Sequence, residues 1–320
     1  MYMPTTTTAD PSVGWCVKIA ADSGFFSSWL ADQAVQELYP SLDCAIAGLV
    51  APSGRAERVD GGYRVSGRWA FGSGCTHADV IIAAALVFKD GKPIASSRAD
   101  QLEWRVIMAP ASEWRIEDTW RTTGLAGSGS HHYCADEMFV PDAHTFSFVD
   151  GRRRPEPLYA FAGMAFVSLA GIPLGLARRA IEEARKVVIS KTSTLEAVLL
   201  KDLGRVRIGI SQAEMKLGAA RAYTHQSLDR LWSEVLTRGR PTREARVNMA
   251  LSRVNAFRTA REVAQLMCDV AGSSSIYSTN PLDRLLRDAQ TMNQHIMAQD
   301  AMLEHLGGVS LGEASPLPIF

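Results

Sequence analysis

The stretch that decides the fold lies at residues 61–79 and reads GGYRVSGRWAFGSGCTHAD. Its first half alternates apolar and polar side chains from Tyr63 to Phe71, which is the period of a half-buried β-strand. The preceding Asp60-Gly61 pair favours a hairpin turn, because glycine accepts the positive φ that tight hairpins need. The second half is rich in glycine and small hydroxyl residues. The sequence therefore predicts a strand that ends in a polar, tightly turned segment.

Further strands are predicted after this stretch. The nearly continuous apolar run of residues 80–88 is closed by a second Asp-Gly hairpin signal. Residues 104–108 and 133–140 also suit strands. Because most glycines that could form turns lie among these segments, residues 41–150 are predicted to form an all-β domain, either a barrel or a sandwich.

Beyond this predicted domain, the apolar residues change to a helical period. One stripe ends at Gly272, and glycine suits a helix C-terminus. The stripe consists of Val247, Leu251, Val254, Phe257, Ala260, Ala264, Met267 and Ala271. The same pattern recurs at residues 158–190, 195–236 and 282–305. Four long helices with short connections predict an antiparallel four-helix bundle over residues 151–320.

The N-terminal part of the chain has a helical character of its own. Residues 11–39 contain helix formers and aromatic side chains, and they predict one or two helices ending near Pro40. The predicted fold class is therefore α+β multidomain. It consists of a partial helical segment at residues 1–40, a central β domain at 41–150 and the bundle at 151–320.

Composition excludes several classes of function. The 320 residues are 47% apolar and 21% charged, as in soluble globular proteins and unlike disordered chains. Lys+Arg and Asp+Glu number 34 each, so the zero net charge argues against nucleic-acid or polybasic membrane binding. The five cysteines form no CxxC motif, which indicates neither a disulfide framework nor a zinc site. No apolar run reaches the roughly 18 residues of a membrane span, and a reducing cytoplasm is the expected compartment.

Several short motifs have a simpler interpretation than a functional one. Gly308–Gly312 fits the GxSxG nucleophile elbow, but a predicted helix precedes it and no His follows it, so a helix end is expected. The adjacent His131-His132 pair would point to opposite faces of a strand, which disfavours a metal site. The basic clusters at residues 152–154 and 238–246 are expected to be solvated, with a phosphate contact as the alternative for the second.

Two glycine-rich regions are harder to explain as turns alone. One covers residues 67–79, and the other combines residues 118–120, 124–130 and 139–141. Each places small hydroxyl and glycine residues at a strand end beside a large aromatic side chain. Glycine lets backbone amides approach a planar ligand, and serine adds directed hydrogen bonds. On these residues alone, aromatic strands with ordinary glycine turns remain the alternative.

At these residues the sequence resembles the acyl-CoA dehydrogenase superfamily. That fold consists of a helical domain, a β domain and a C-terminal four-helix bundle, in the order predicted above. The Phe71-Gly72-Ser73 step is similar to the family's Trp-Ile-Thr segment, because Ala-Asp follows at the same distance. The family segment lies along the flavin ring with its hydroxyl residue near flavin N5, and the resemblance implies this role for Ser73.

The resemblance is closer to one branch, the flavin-dependent monooxygenases that are the oxygenase components of two-component aromatic hydroxylases. The motifs of this branch occur in order along nearly the whole chain. They are Ala9–Trp15, Gly61–Trp69, Ser73–Asp79, Asp118–Trp120, Gly124–Ser130, Asn280-Pro281-Leu282-x-Arg284, Arg287-Asp288 and His295.

Two departures from the superfamily pattern leave alternatives open. Family members carry further helices before the segment that begins here at residue 9, so residues 1–40 are expected to be a remnant of the N-terminal helical domain. One alternative is therefore a truncated, inactive flavin-binding homologue. The catalytic Glu of the dehydrogenases is not evident in residues 290–306, where His295 stands instead. This disfavours the other alternative, an acyl-CoA dehydrogenase or oxidase.

The resemblance implies an oxidoreductase that uses reduced FMN or FAD and O2. It would hydroxylate a small aromatic or related substrate through a flavin C4a-hydroperoxide. The chain has neither a GxGxxG after a strand nor a P-loop, so it offers no nicotinamide site of its own. A separate NAD(P)H:flavin reductase is therefore the expected partner, and a homotetramer or homodimer is expected as well.

The resemblance also implies site residues. His295 and Ser73 are expected to be catalytic, with His295 as base or hydrogen-bond partner of a phenolic substrate. His77 and His295 are expected to contact the substrate, and no metal ligand is expected. The expected flavin-binding residues are Trp69, Phe71, Gly72, Ser73, Gly74, Ser128, Gly129 and Ser130.

Overall fold

The computed structural model describes residues 2–96, 101–148 and 150–315. The chain forms two compact units, one mainly helical and one built on a sheet. The helical unit comprises the described residues of Met1–Trp15, Thr122–Gly127 and Phe166–Phe320. The sheet unit comprises those of Cys16–Arg121 and Ser128–Ala165. The α+β fold class is confirmed, and the domain boundaries predicted at residues 40 and 150 stay predictions.

The sheet unit is built on one mixed sheet. Within the described ranges its strands are β1 (Ile46–Val59), β2 (Gly62–Gly72), β3 (Val80–Lys89), β4 (Lys92–Pro93), β5 (Trp104–Pro110), β6 (Arg115–Glu117), β7 (His131–Pro141) and β8 (Thr145–Phe146). Their order is β6-β7-β2-β1-β3-β5-β8, and β4 pairs with β3. The pair β1 and β3 is parallel and the other pairs are antiparallel. All the predicted strands are confirmed.

A buried aromatic group fixes the centre of this sheet. Trp69 on β2 is fully buried, stacks on Tyr133 of β7 with ring centroids 5.8 Å apart, and meets Trp114 edge-on at 5.4 Å. The Trp69 Nε1 donates to Ala84 O at 2.8 Å, and the Tyr133 hydroxyl donates to Ile82 O at 2.8 Å. Both buried donors are thereby satisfied. The stack and these two bonds hold β2, β7 and β3 in one register.

Three helices precede the sheet. They are α1 (Tyr2–Ala9), α2 (Pro11–Ser23) and α3 (Asp32–Leu38). The last two, with the 3₁₀ turn Gly24–Trp29 between them, confirm the prediction of helices ending near Pro40. Within the sheet unit, Trp29 stacks on Phe146 at 5.7 Å. The helix α1 was not predicted, because its polar threonine run has no apolar period.

The long helices belong to the helical unit. They are α4 (Gly171–Ser190), α5 (Gly204–Arg238), α6 (Arg243–Ala271), α7 (Pro281–Met292) and α8 (Asp300–Ser310). The predicted helix starts at residues 158 and 195 were wrong, because a 3₁₀ segment occupies Ala162–Ala170 and α5 begins at Gly204. The GxSxG motif lies at the end of α8, as expected for a helix terminus. The helical C-terminal region is confirmed.

The predicted single helix over residues 282–305 is interrupted between α7 and α8. Asn293 is buried, and its Nδ2 donates to Phe257 O at 2.9 Å and to Ala289 O at 2.8 Å. An asparagine side chain that bonds backbone carbonyls competes with helix continuation. The apolar residues Met292 and Ile296, four residues apart, continue the helical spacing across the break, which explains the wrong prediction. The interruption contains His295.

One apolar segment is long enough to cross a membrane by length and composition, namely Ala162–Ser190. Its most apolar window has a mean hydropathy of 1.4, and 67% of that window is buried inside the protein. Such burial is typical of a core helix. The sequence-based expectation of no membrane span considered only uninterrupted apolar runs. Glycine, serine and proline interrupt the apolar residues of this segment.

The close approach of β1 to the Trp69 ring gives a test of the sheet packing. A Cβ at Gly54 would lie 2.0 Å from Trp69 Cζ2, so Gly54→Ala forces the ring or the strand to move. We expect this variant to lower the free energy of unfolding by about 1–3 kcal/mol, the usual cost of overpacking. Urea unfolding followed by tryptophan fluorescence measures the change. Gly24→Ala, whose Cβ would meet nothing within 4 Å, is the control, and equal losses in both variants would contradict the packing.

Candidate functional site

Three buried serines form a hydrogen-bonded chain in the sheet unit. Ser130 Oγ lies 2.8 Å from Ser73 Oγ and 2.7 Å from Ser128 Oγ. The backbone joins the same segments, because Gly74 N donates to Ser128 O at 2.9 Å. The structure therefore brings together residues of the two glycine-rich regions that the sequence singled out. We refer to Ser73, Ser130 and Ser128 as the serine chain.

The strand ends explain why the backbone turns here. β2 ends at Gly72, which pairs with His131 at the start of β7. A Cβ at Gly72 would lie 2.9 Å from the Tyr133 ring, which leaves no room for a side chain. Gly74 and Gly129 have φ of 76° and 50°, left-handed values that glycine adopts readily. Two tight turns thus place the serine hydroxyls at one pair of strand ends.

Aromatic surface is exposed beside the serine chain. Phe71 is 60% exposed, and its φ of 64° is unusual for a bulky residue. Its ring meets Trp120 edge-on with centroids 6.3 Å apart. Ser73 N donates to Phe71 O at 2.9 Å, so one tight turn separates this ring from the serine chain. Backbone strain of this kind clusters at ligand-binding positions, and an exposed ring beside buried hydroxyls suits a planar ligand with a polar edge.

His131 positions the Trp120 segment, a role that the sequence did not indicate. Its Nδ1 accepts hydrogen bonds from Thr119 N at 3.1 Å and from Trp120 N at 3.2 Å. The His132 N in turn donates to Thr119 Oγ1 at 2.8 Å. No local pattern signals this role, because it depends on two segments that meet only in the folded sheet. Across the described ranges, no three His, Cys, Asp or Glu side chains group together as metal ligands would.

His295 lies in the helical unit, in the interruption between α7 and α8. Its ring is 5.4 Å from the Trp15 ring, edge-on, and 6.4 Å from the Phe257 ring, nearly parallel to it. Its Nδ1 accepts from Met297 N at 3.2 Å and caps a short 3₁₀ turn. A neutral ring that accepts at Nδ1 carries its proton on Nε2. Ser73 and His295 therefore belong to different units, and the Nε2 of His295 is a donor.

Two predicted contact residues, Trp69 and His77, differ in their exposure. Trp69 is fully buried and donates its indole hydrogen to Ala84 O, so it presents no surface to a ligand. The prediction of a direct flavin contact is corrected accordingly: Trp69 fixes the strand that carries Ser73. His77 is exposed at the end of a 3₁₀ turn, and a Cβ at Gly74 would lie 3.2 Å from its Nε2. His77 thus borders the serine chain, and its substrate contact stays a prediction.

The chain is similar to known oxygenases along almost its whole length. Residues 167–317 match the family model described as acyl-CoA dehydrogenase, C-terminal domain. Indole-3-acetate monooxygenase of Pseudomonas putida is 32% identical over 315 residues, which cover 97% of this chain and 78% of that protein. The chain belongs to the flavin-dependent monooxygenase branch of the acyl-CoA dehydrogenase superfamily.

Two further comparisons support this membership. The FADH(2)-dependent resorcinol hydroxylase, oxygenase component, of Rhizobium sp. (strain MTP-10005) is 27% identical to this monooxygenase, covering 94% of this chain and 77% of that protein. The structure of XiaF from Streptomyces sp. in complex with FADH2 and glycerol has a TM-score of 0.88 at 22% identity, covering 99% of this chain and 81% of that one. The predicted branch, the oxidoreductase class and the use of reduced flavin are confirmed.

The sheet unit of this monooxygenase has residues that fit a flavin. Phe71 offers a ring face, and the serine chain offers hydroxyls that donate or accept as the ligand requires. The left-handed turns at Gly74 and Gly129 leave the backbone without side chains beside these hydroxyls. Burial raises the pKa of the neighbouring Cys75 thiol, so no thiolate forms there near neutral pH. The serine chain is thus a buried, uncharged group of hydroxyls that can hydrogen-bond the polar rim of an isoalloxazine ring.

The segment before the serine chain is fixed within the helical unit. Leu125 has a left-handed φ of 50°, and its N donates to Asp288 Oδ1 at 2.6 Å. Gly124 is held against α7, since a Cβ there would lie 2.1 Å from Arg287 O. Burial raises the pKa of the Asp288 carboxyl, although the Leu125 amide opposes this effect. The buried Asp288 thus holds the 122–127 segment at a cost in charge desolvation.

The Asp288 contact gives a test in two variants. Asp288→Ala removes the carboxylate oxygen that accepts from the buried Leu125 N–H, and we expect it to lower the free energy of unfolding by about 1–3 kcal/mol. Asp288→Asn keeps an acceptor oxygen without the charge and should be at least as stable as the wild type at neutral pH. Urea unfolding of the three proteins measures the difference. An Ala variant as stable as the Asn variant would contradict the role of the hydrogen bond.

The same carboxyl predicts a pH dependence. Its folded-state pKa is raised, so the folded chain binds the proton more tightly than the unfolded chain. The contribution of Asp288 to stability is therefore largest at low pH and falls as the pH rises through the interval between the unfolded and folded pKa values. The difference in free energy of unfolding between wild type and Asp288→Asn, measured from about pH 4 to about pH 7, should show this slope, because the other titrating groups are the same in both proteins.

Proposed function

We propose that this monooxygenase uses the serine chain to hold the polar edge of reduced FMN or FAD while His295 binds an oxygen or nitrogen of an aromatic substrate. The observation that carries the proposal is the continuous contact from Ser73 through Ser130 to Ser128, next to the exposed Phe71 ring. Bound reduced flavin supplies the O2 chemistry, by which one oxygen atom goes to the substrate and the other to water. The protein residues supply binding, orientation and exclusion of water.

The serine chain suits a role at flavin N5. A serine hydroxyl is neutral across the physiological range, so Ser73 can hold a proton at N5 by hydrogen bonding without acting as an acid. Either oxygen in each Ser–Ser contact can be the donor, so a concerted rotation of the three hydroxyls reverses the direction of donation along the chain. Ser73 can thus accept from an N–H or donate to a lone pair without a change in charge. Burial keeps competing water away from these groups.

His295 suits a donor role toward the substrate. Its Nδ1 already accepts from Met297 N, so taking a proton there would break the cap of the 3₁₀ turn. The Nε2–H donates to a phenol oxygen or a comparable acceptor and aligns the aromatic ring of the substrate. Of the two roles predicted from the sequence, base and hydrogen-bond partner, this tautomer favours the second. His77 remains a proposed second contact.

The substrate class follows from the relatives. One similar protein is named for indole-3-acetate and another for resorcinol. We therefore propose an indole or a phenol as the substrate of this chain. The aromatic rings of Trp15 and Phe257, which lie next to His295 in the helical unit, suit such a flat ring.

A reductase and a second copy of the chain are the proposed partners. A separate NAD(P)H:flavin reductase would deliver reduced flavin, since the sequence has no nicotinamide motif. Self-association is supported by exposed apolar residues on α5. They are Ile208, Met215, Trp232 and Leu236. The five free cysteines suit a reducing cytoplasm, which we propose as the compartment.

A serine variant tests the proposed flavin contact. Ser73→Ala removes the hydroxyl at N5, and we expect about tenfold less hydroxylated product per reduced flavin, with O2 still consumed and hydrogen peroxide released instead. The assay mixes anaerobic protein, reduced FMN or FAD and indole or a phenol with O2. Ser211→Ala, an exposed position on α5, is the control. Unchanged product yield in Ser73→Ala would rule out the role at N5, and wild-type protein that yields only peroxide with all substrates would rule out the monooxygenase function.

A histidine variant tests the substrate contact. His295→Asn keeps an N-cap oxygen for Met297 N but loses the Nε2–H donor. We expect an unchanged Tm and at least about a tenfold lower kcat/KM for the aromatic substrate. Gln294→Ala, the exposed neighbour, is the control. Wild-type kinetics in His295→Asn would contradict the substrate role, and a loss of folding would indicate that the ring is structural.

A further inference from the structure

A buried arginine in the helical unit has no counter-charge. Arg253 on α6 is only 3% exposed, and no carboxylate within the described part of the chain pairs with it. Its Nη1 donates to Phe166 O at 3.4 Å, a long hydrogen bond, and its Nη2 donates at 3.5 Å to Met297 Sδ, a weak acceptor. Its buried Nε has no hydrogen-bond partner. The guanidinium is therefore poorly satisfied.

Arg178 in the same unit has a carboxylate partner. Its guanidinium makes two bonds of 2.9 Å to the carboxylate of Glu214. Burial lowers the pKa of Arg253 to about 10, which still leaves it protonated at neutral pH. Taking a lone charge out of water is unfavourable unless a partner compensates it. Strongly perturbed charged groups cluster at functional sites, so such a charge marks a position where a ligand can supply the missing partner.

The position of Arg253 connects it to the substrate residue. Phe257, one helical turn further along α6, stacks on the His295 ring. Met297, which Arg253 contacts, lies two residues after His295 and donates its N–H to that ring. The guanidinium and the imidazole thus share neighbours on α6 and on the turn after α7.

We infer that Arg253 binds the carboxylate of an anionic aromatic substrate whose ring lies at His295; this inference rests on the proposed function. The planar guanidinium fork matches a carboxylate, and its unpartnered Nε is one of the donors that a bidentate pair uses. A carboxylate brings the single negative charge that balances this single cation. A phosphate would bring up to two negative charges, more than the single positive charge of Arg253 balances, so a carboxylate fits better.

Binding measurements test the inference without turnover. Calorimetry compares indole-3-acetate with its neutral analogue indole-3-acetamide on the full chain, both without flavin and with reduced FMN under anaerobic conditions. We expect wild type to prefer the acetate. Arg253→Met should bind the acetate about 10- to 100-fold more weakly and the acetamide within about threefold of wild type. Arg261→Met, an exposed position on the same helix, should leave both affinities unchanged.

Stability supplies a second readout. Replacing an uncompensated buried charge by an apolar side chain is often stabilising, so Arg253→Met without ligand should have a Tm equal to or above that of wild type. Arg253→Gln, which keeps donors but not the charge, should show the same loss of preference for the acetate. If both variants lose stability and bind both probes equally weakly, Arg253 is structural and the inference fails. It also fails if wild type binds the two probes equally or binds neither.

The inference and the proposed function fail separately. Hydroxylation of neutral indole with no preference for the acetate would overturn only the role of Arg253. Selective, Arg253-dependent binding of the acetate with peroxide as the only oxygen product would support the carboxylate site and overturn the proposed oxygenation.

Discussion

The stacked pair of Trp69 and Tyr133 is the contact on which the candidate flavin site depends. The two rings pack on each other. Trp69 donates its indole hydrogen to Ala84 O and Tyr133 donates its hydroxyl hydrogen to Ile82 O, both on β3. This fixes β2 against β7, so the residues that follow β2 and those that precede β7 must meet. Ser73 is reached from one strand and Ser130 from the other. The serine chain is therefore a consequence of the aromatic core, and Trp69 acts on the site through position.

The two units differ in a kind of polar group that they bury: the neutral hydroxyls of the serine chain in the sheet unit, and the charged side chains of Asp288 and Arg253 in the helical unit. In the sheet unit the hydroxyls satisfy one another, and the close neighbour Cys75 stays an uncharged thiol. Such a neutral, mutually satisfied chain costs little to bury and can reverse its direction without moving charge. In the helical unit the buried Asp288 accepts a short hydrogen bond from the Leu125 amide, and the buried Arg253 has one long hydrogen bond, one sulfur acceptor and an Nε without a partner. Those charges are expensive, which is why they mark positions where structure or binding requires them.

Much of the fold and part of the site could be predicted from residue patterns. The alternation from Tyr63 to Phe71 is a local property, and the strand it predicts is confirmed as β2. The Gly-Ser composition at Ser73 is also local, and the flavin-binding role assigned to it stays a prediction. The contact of His131 with the Trp120 segment could not be predicted, because it depends on two segments that approach only in the sheet. The interruption at Asn293 was missed because the apolar spacing of the helix continues across it. A pattern records periodicity but not the bonds that a polar side chain makes after folding.

In the proposed roles, the tautomer of His295 and the charge of Arg253 together would limit which ligands the helical unit recognises. A ring that donates at Nε2 selects an acceptor on the aromatic part of a ligand, and a guanidinium selects an anion. Neither preference alone separates one aromatic compound from another. A ligand that satisfies both must carry a hydrogen-bond acceptor and a carboxylate at a fixed separation, and a neutral arene would leave the Arg253 charge uncompensated. Selectivity would thus come from the penalty on the wrong ligand as much as from attraction to the right one.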